Sequence, residues 1–293
     1  MNIPNSLVFH YGNMRKNEGN HRLLAGSELA AEQCRTAGRL YDTGNGYPVM
    51  IPGGNGSVYG ELYRVSPAIL RRLNAWEGCD EDGRGRNSLR VSQPVHTDSG
   101  TVEAYVYIQS AERSGEARPI ELGDWKYDRR ARDGKPLLYF AYGSCMDDER
   151  FIRAGKAHLF LDMLGKGTLH GYSLKFSHQA KDGGRADMAE LGGIVEGKVY
   201  RIGQEALEYL KRREGVHSGV YRPAFVDIRM GRRTVKDALT FLVIRKSERE
   251  VPPPKHYETE IRRGGLTVWS EEYGRSFERH LQSLFGGSDG QSR

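Results

Sequence analysis

Two glutamates stand where the electrostatics of a helix disfavour a negative charge. Glu77 and Glu214 each lie directly before a glycine, at the end of a segment whose leucines have helical spacing. The C-terminus of a helix is the negative end of its dipole, so a carboxylate there costs stability, and burial would raise its pKa toward the range useful for proton transfer. Each is a candidate general acid or base. For either one taken singly, the alternative is an exposed glutamate screened by water.

A tyrosine–glycine turn after a short apolar strand is a second candidate. It occurs twice, as Tyr11-Gly12-Asn13 and as Tyr142-Gly143-Ser144-Cys145. A strand that runs into such a turn directs successive backbone N–H groups into one space, where they can bind a carboxylate or a developing oxyanion. For a single turn, a structural role is the commoner interpretation, with the tyrosine in the core and the glycine closing the strand.

These residues belong to an internal repeat. Tyr63 and Glu77 recur as Tyr200 and Glu214 at the same separation, together with the leucines between them. The Tyr-Gly turns repeat at a slightly shorter separation, which a small insertion explains. The chain is therefore interpreted as a duplication, and the recurrence of the glutamate favours a functional role for it.

Both copies predict the same order of elements: a strand and its Tyr-Gly turn, further strands, a short helix, and two more strands. The helices are predicted at residues 67–76 and 204–213, each followed by Glu-Gly. The strands that precede these helices are predicted at residues 57–65 and 194–202. After the second copy, an amphipathic segment is predicted from His256 to Leu284.

The length of 293 residues predicts two domains, each large enough to bury a core of its own. We place them at residues 1–127 and 128–285, and we expect a disordered tail at residues 286–293. Glycine is frequent, at 37 residues, which favours tight turns between short elements and hence a fold rich in β-structure.

The net charge of +6 is concentrated in one stretch, Lys126 to Lys135. Such a run beside a domain edge is typical of a solvated linker. It is accompanied by neither an arginine-rich helix nor an aromatic signature for stacking bases, so no nucleic-acid partner is predicted.

No metal, disulfide framework or membrane segment is predicted. The three cysteines include no CxxC pair and the nine histidines no HExxH motif. Cys145 has no identifiable partner base and is interpreted as a packed or merely accessible thiol. The sequence lacks a signal peptide and an apolar run of about 18 residues, so a cytoplasmic protein is expected.

Taken together, the ordered motifs resemble those of a known family across nearly the whole chain. The second copy resembles a γ-glutamylcyclotransferase, in the runs FAYGS at 140–144, REGVHSGVYR at 213–222 and PPPKHYETEIRRGG at 252–265. The first copy is similar to the γ-glutamylamine cyclotransferase-like branch, in Tyr11-Gly12, Asn20-His21, Tyr47-Pro48, GELY at 60–63 and Trp76-Glu77-Gly78.

This resemblance implies an α+β fold with two tandem mixed β-barrels and short flanking helices. It also implies an activity without a cofactor: the α-amine of a small γ-glutamyl substrate attacks its own γ-carbonyl and releases 5-oxoproline. By the family pattern Glu214 is the general acid/base and Glu77 its equivalent. The two turns would bind the substrate, with Tyr221 among the substrate-binding residues of the second copy.

The second copy is expected to be the active one, because it keeps Tyr142, Gly143, Ser144 and the glutamate. In the first copy Asn13 replaces the usual serine or threonine. The alternative to an enzyme is a non-catalytic γ-glutamyl-binding or scaffold protein that retains the fold.

Overall fold

A computed structural model describes residues 5–86, 88–109 and 117–286. The chain forms two compact units, Met1–Arg132 and Asp133–Arg293. The division falls after Arg132, whereas the sequence placed it after residue 127. Most of the expected disordered tail, residues 287–293, lies outside the described residues, and Gly286 is the last residue of a helix.

The N-terminal domain is built around a closed barrel of five strands in the order β1-β5-β2-β6-β7. Its pairs are antiparallel except for the parallel pair β1–β7. A second, three-stranded sheet has the order β4-β3-β8. The elements are β1 Ser6–His10, β2 Glu28–Ala37, β3 Arg39–Asp42, β4 Pro48–Ile51, β5 Ser57–Val65, α1 Pro67–Glu77, β6 Leu89–Thr97, β7 Gly100–Ile108, β8 Arg118–Pro119 and α2 Trp125–Arg132.

The C-terminal domain repeats this barrel, in the order β10-β13-β9-β15-β14 with β9 and β15 parallel. Its elements are β9 Leu137–Ala141, α3 Asp148–Arg153, β10 Met163–His170, β11 Ser173–Ala180, β12 Gly183–Ala189, β13 Ile194–Ile202, α4 Gln204–Arg213, β14 Tyr221–Met230, β15 Arg233–Val243, α5 Lys255–Gly265 and α6 Glu271–Gly286. The predicted fold class, two tandem mixed barrels with flanking helices, is confirmed.

The central strand of each barrel passes very close to the end of the first strand. A Cβ added at Gly60 would lie 2.3 Å from the carbonyl oxygen of His10, and one at Gly197 would lie 2.1 Å from that of Ala141. Only glycine fits at such an approach. This contact fixes the point at which each Tyr-Gly turn leaves its barrel.

The helix after the central strand has clear end signals. In α1 the side chain of Ser66 accepts a hydrogen bond from the backbone N–H of Ile69, Pro67 occupies the first turn, and Gly78 ends the helix in the left-handed conformation at φ 72°. The corresponding helix α4 ends with Glu214 as its C-cap. Both glutamates are thus held at the C-terminal end of a short helix, as predicted.

The charged stretch after Trp125 is not the solvated linker that the sequence suggested. It forms α2, whose first three residues are buried. Two of its arginines pair with acids far away in sequence: Arg129 lies 2.7 Å from Glu18, and Arg132 lies 2.9 Å from Asp42. These ion pairs fix the stretch to the N-terminal domain.

The predicted amphipathic segment at 256–284 is two helices, α5 and α6, separated by a break after Gly265. A Cβ at Gly265 would lie 2.4 Å from the ring of Trp269, so the chain packs tightly against itself where it turns. Within the part of the chain that the structure describes, no helix has the length and hydropathy needed to cross a membrane.

Candidate active sites

In the N-terminal domain, β1 delivers the first Tyr-Gly turn to the rim of the barrel. The hydroxyl of Tyr11 donates a hydrogen bond to the carbonyl oxygen of Tyr107 in β7, at 2.7 Å. Gly12 has no room for a side chain, because a Cβ there would lie 2.9 Å from the ring of Pro48. The turn is therefore held by its tyrosine and packed closely through its glycine.

The turn and Glu77 line one cavity of about 560 Å³. Tyr11, Gly12 and Asn13 contribute from the end of β1, and Glu77 contributes from the end of α1. The four N-terminal residues singled out in the sequence thus share one hollow. Its volume lies within the range of sites that bind small organic molecules.

Glu77 has the electrostatic character of a proton-transfer group. Burial raises the pKa of its carboxyl group to about 7. The pKa of Tyr11 is raised mainly by burial of Tyr11 itself, and the negative charge of Glu77 raises it further. Among the described residues none donates a hydrogen bond to the Glu77 carboxylate, so its proton acceptor capacity is open to a ligand.

The backbone of the turn also has open capacity. In the described ranges, the N–H groups of Gly12 and Asn13 have no hydrogen-bond acceptor. The side chain of Asn13 itself makes only a long contact, 3.5 Å from Nδ2 to the carbonyl oxygen of Gly46. Adjacent free N–H groups of this kind can bind an anionic oxygen.

A buried ion network fixes the segment that follows the turn. Arg15, which is 2% exposed, lies 3.2 Å from Glu61 and 2.9 Å from Asp124. The hydroxyl of Tyr63 donates to the same Glu61 at 2.6 Å. This network joins the segment after the turn to β5 and to Asp124, the residue before α2.

In the C-terminal domain, β9 delivers the second turn in the same way. The hydroxyl of Tyr142 donates to the carbonyl oxygen of Phe241 in β15, at 2.6 Å. The tyrosines of both turns therefore act as anchors rather than as free hydroxyl groups. In the described chain the N–H groups of Gly143 and Ser144, like those of the first turn, have no acceptor.

The predicted residues of the second copy converge. A small cavity of about 30 Å³ is lined by Tyr142, Gly143, Ser144, Cys145, Glu214 and Tyr221. A neighbouring cleft of about 220 Å³ shares Ser144, Glu214 and Tyr221 with it. The Glu214 side chain is 17% exposed, and Tyr221 is held by a 2.7 Å hydrogen bond from its hydroxyl to the carbonyl oxygen of Ala186.

Glu214 is more constrained than Glu77. Its Oε1 accepts a hydrogen bond from Cys145 Sγ at 3.2 Å and lies 4.0 Å from Nε of Arg213. Burial raises the pKa of Glu214, while the Arg213 cation and the thiol hydrogen bond act in the opposite direction. Cys145 also accepts a hydrogen bond from Nε of Arg213 at 3.2 Å, so the three side chains form one unit.

Several cavity residues escaped the sequence analysis. In the C-terminal domain they are Arg213, Tyr257 and the cleft residues Arg150 and Arg185. Arg213 and Tyr257 do lie in the motif runs at 213–222 and 252–265, which was the available signal. The hydroxyl of Tyr257, on α5, accepts a hydrogen bond from the N–H of Ala186 at 3.2 Å.

His10 is the corresponding omission in the N-terminal domain. It is 5% exposed and lines the cavity. Burial, helped by His21, lowers its pKa to about 3, so the imidazole is neutral at physiological pH. Its Nε2 is buried without a hydrogen-bond partner among the described residues. The residue at this place in the repeat is Ala141, so no repeat signal could point to it.

Two family models match this chain, one in each domain. Residues 8–127 match the family model "Gamma-glutamyl cyclotransferase, AIG2-like", and residues 194–276 match the model "AIG2-like family". "Putative gamma-glutamylcyclotransferase YkqA" of Bacillus subtilis is 43% identical over 96% of this chain and 99% of its own length. The chain belongs to the AIG2-like gamma-glutamylcyclotransferase family.

The fold of this family member is also seen in a solved structure. The crystal structure of YkqA from Bacillus subtilis has a TM-score of 0.86 and 41% identity, and covers 96% of this chain and 98% of that one. A shorter relative, "Gamma-L-glutamyl-butirosin B gamma-glutamyl cyclotransferase" of Niallia circulans, is 34% identical over 43% of this chain and 78% of its own length. The tandem arrangement is thus shared with YkqA over the full chain.

The described residues contain no group of three or more histidines, cysteines, aspartates or glutamates placed to hold a metal ion. All three cysteines are free thiols.

Proposed function

We propose that both domains release 5-oxoproline from γ-glutamyl compounds, with Glu77 and Glu214 as general acid/bases. The observation that carries the proposal is the convergence, in each domain, of a buried glutamate and an open Tyr-Gly turn on one cavity. The closure of one γ-glutamyl chain into a five-membered ring needs no second reactant, so a cavity that folds the chain supplies much of the catalysis.

The glutamate is suited to the proton transfers of this reaction. The substrate's α-amine, with a reference pKa of about 8, must lose a proton before it can attack the γ-carbonyl carbon. A carboxylate whose pKa is raised by burial accepts that proton more readily than an exposed one. As the C–N bond to the leaving group breaks, the same carboxyl group returns the proton to the departing nitrogen.

The turn is suited to the anionic parts of the substrate. The open N–H groups of Gly12 and Asn13, and of Gly143 and Ser144, can bind the α-carboxylate or the oxyanion that forms at the γ-carbon. The relative from Niallia circulans, which by its name acts on a γ-L-glutamyl compound as a cyclotransferase, supports this class of substrate.

The test uses the full chain and three variants: Glu77→Gln, Glu214→Gln and the double variant. Each is incubated with a panel of γ-glutamyl amino acids and γ-glutamyl amides, and 5-oxoproline is assayed. Each single variant is expected to lose the part of the activity that belongs to its own domain, by roughly 10²- to 10⁴-fold. The double variant should be inactive on the whole panel.

The same assays identify a protein that only binds. Thermal unfolding of each variant checks that the fold is kept, which is expected because glutamine has the shape of glutamate. If the wild-type chain binds γ-glutamyl compounds by calorimetry yet forms no 5-oxoproline from any of them, the enzymatic proposal is wrong. Unchanged turnover in the double variant would rule out these two glutamates as the acid/bases.

A further inference from the structure

We propose that the N-terminal site takes γ-glutamyl amides whose leaving amine belongs to a polyhydroxylated ring, such as an amino sugar. This assignment rests on the proposed function and narrows its substrate. It comes from the chemistry of the cavity wall beyond Glu77 and the turn. That part of the cavity must hold the leaving group, since a γ-glutamyl group is no larger than one amino acid and the cavity measures about 560 Å³.

Among the described residues that line this cavity, none is a lysine or an arginine. Glu77 is the only carboxylate among these described lining residues, and the reaction occupies that group. From them, a leaving group with a carboxylate would receive no cation, and one with an ammonium would receive no second anion. The wall therefore favours a leaving group without net charge.

Neutral hydrogen-bonding groups take the place of charges. The side-chain amides of Asn20, Asn45 and Gln109 line the cavity, and within the described residues they have no hydrogen-bond partner. The neutral imidazole of His10 also lines the cavity, and its Nε2 is buried without a hydrogen-bond partner among the described residues. An amide offers both donors and an acceptor, which matches a hydroxyl group, itself a donor and an acceptor. An ammonium group only donates hydrogen bonds, so it would pair with the amide oxygens and leave the amide N–H groups without an acceptor.

Two exposed aromatic rings complete the wall. Trp76 is 50% exposed and Tyr47 is 43% exposed, although both belong to the types that usually bury most of their surface. Their faces carry partial negative charge and attract polarised C–H groups, which a sugar ring presents on its flat sides. Rings for stacking together with amides for hydroxyl groups form a site for a polyol ring.

The contrast with the second domain shows that this chemistry is local. In the repeat, Trp76 corresponds to Arg213, the residue directly before the glutamate. The cleft beside Glu214 is lined by three arginines, Arg150, Arg185 and Arg213. The segments inserted between the second and third barrel strands also differ: the loop between β3 and β4 supplies Asn45 and Tyr47, whereas the hairpin β11–β12 supplies His178 and Arg185.

The experiment uses the full chain with Glu214→Gln, so that only the N-terminal site turns over. Three amides of the γ-carboxyl of L-glutamate are compared: those with D-glucosamine, with cyclohexylamine and with L-alanine. The glucosamine amide is expected to have a kcat/KM about tenfold or more above either of the others, the effect of a few net hydrogen bonds. Equal or better turnover of the cyclohexyl or alanine amide would overturn the assignment and leave the proposed function intact.

Variants of the wall separate stacking from general damage. Trp76→Ala and Tyr47→Ala should raise KM for the glucosamine amide severalfold and leave kcat unchanged, since they remove binding shared by ground and transition states. Trp76→Phe and Tyr47→Phe keep a ring and should stay near the parent. Alanine variants with an unchanged KM would contradict the role of the rings.

A binding measurement distinguishes failure of the assignment from failure of the proposed function. Calorimetry with the Glu77→Gln/Glu214→Gln protein should show the glucosamine amide binding more tightly than the cyclohexyl amide, whether or not any turnover occurs. If binding shows this preference and no amide yields 5-oxoproline in the Glu214→Gln protein, the proposed function fails for this domain, and what stands is the preference of the site for a polyhydroxylated ring. If both amides bind equally, the assignment fails.

Discussion

Cys145 donates a hydrogen bond from Sγ to Oε1 of Glu214 over 3.2 Å. The same sulfur accepts a hydrogen bond from Arg213, so the thiol bridges the cation and the carboxylate. A hydrogen bond to the charged form of an acid lowers its pKa. The thiol therefore opposes the rise in the pKa of Glu214 that burial causes. The first turn, in the N-terminal domain, has no corresponding cysteine.

The first prediction concerns the pH profile of the C-terminal site. In Cys145→Ala, Glu214 loses the thiol hydrogen bond, so its pKa rises further above the usual value. A base with a higher pKa becomes deprotonated at higher pH, and the acidic limb of kcat/KM should move to higher pH. The measurement is 5-oxoproline release as a function of pH in a Glu77→Gln background, which silences the other site.

Cys79→Ala is the matched control, because that thiol is partly buried in the other domain and lies outside both cavities. It should leave the acidic limb in place. A limb that stays in place or moves to lower pH in Cys145→Ala would contradict the bridging role of the thiol.

The second prediction concerns stability and Glu77. Its pKa is about 7 in the folded protein against an ordinary value of 4.5, so between these pH values the native state binds more protons than the unfolded state. The free energy of unfolding must then fall as pH rises through this window. Glu77→Gln removes the free-energy cost of ionising a buried carboxyl group. Above pH 7 this variant should therefore raise the free energy of unfolding by up to about 3 kcal/mol.

The measurement is urea unfolding of Glu77→Gln and the parent at several pH values. The difference should vanish below a pH of about 4.5, where the glutamate is protonated in both states. Glu121→Gln, at an exposed position of the same domain, should show no such pH-dependent gain. A constant difference across the whole range would show that the effect does not come from titration.

The order of elements and both central strands could be predicted from sequence, because they depend on local patterns and on the repeat. The strands Ser57–Val65 and Ile194–Ile202 have the predicted bounds. Each is marked by alternating apolar residues before a helix with clear end signals. The Tyr-Gly turns and the glutamates were found from sequence because each of them occurs in both copies of the repeat.

The remaining features depend on contacts between residues that are distant in sequence. Helix α2 is stabilised by ion pairs to Glu18 and Asp42, about which its own composition says nothing. Tyr257 reaches the second site from a helix beyond the repeat. The inserted segments carry the differences between the two cavities, and a repeat reveals only what its copies share.

The third prediction concerns the close packing of the first turn. A Cβ at Gly12 would lie 2.9 Å from the ring of Pro48, so Gly12→Ala must displace the turn or the start of β4. Such overpacking costs about 1 to 3 kcal/mol, and displaced N–H groups should lower kcat/KM of the N-terminal site tenfold or more. Activity is measured in the Glu214→Gln background.

Pro48→Ala removes the ring atoms that the new methyl group meets, so Gly12→Ala/Pro48→Ala should regain part of the lost activity. Gly19→Ala is the control in the same loop, since a Cβ there meets nothing within 4 Å. If the double variant is no better than Gly12→Ala, a steric contact with Pro48 is not the cause of the loss.

The last prediction follows from a reversal of charge between the two barrels. At corresponding places in the central strands, Glu61 pairs with Arg15 at 3.2 Å and Lys198 pairs with Asp148 at 2.7 Å. The partners differ in exposure: the Arg15 side chain is 2% exposed, and that of Asp148 is 62% exposed. A buried charge that loses its partner is costly, whereas an exposed one is solvated by water.

Glu61→Gln should therefore lower the free energy of unfolding by about 3 kcal/mol, while Lys198→Met should change it by less than about 1 kcal/mol. Urea unfolding gives the free energies of unfolding. Hydrogen exchange of the full chain, measured on peptides from each domain after digestion, shows in which domain the stability has changed. Glu28→Gln, which breaks the exposed pair with Arg64, should behave like Lys198→Met. If Lys198→Met lowers the free energy of unfolding as much as Glu61→Gln does, burial of the remaining partner does not determine the cost of breaking the ion pair.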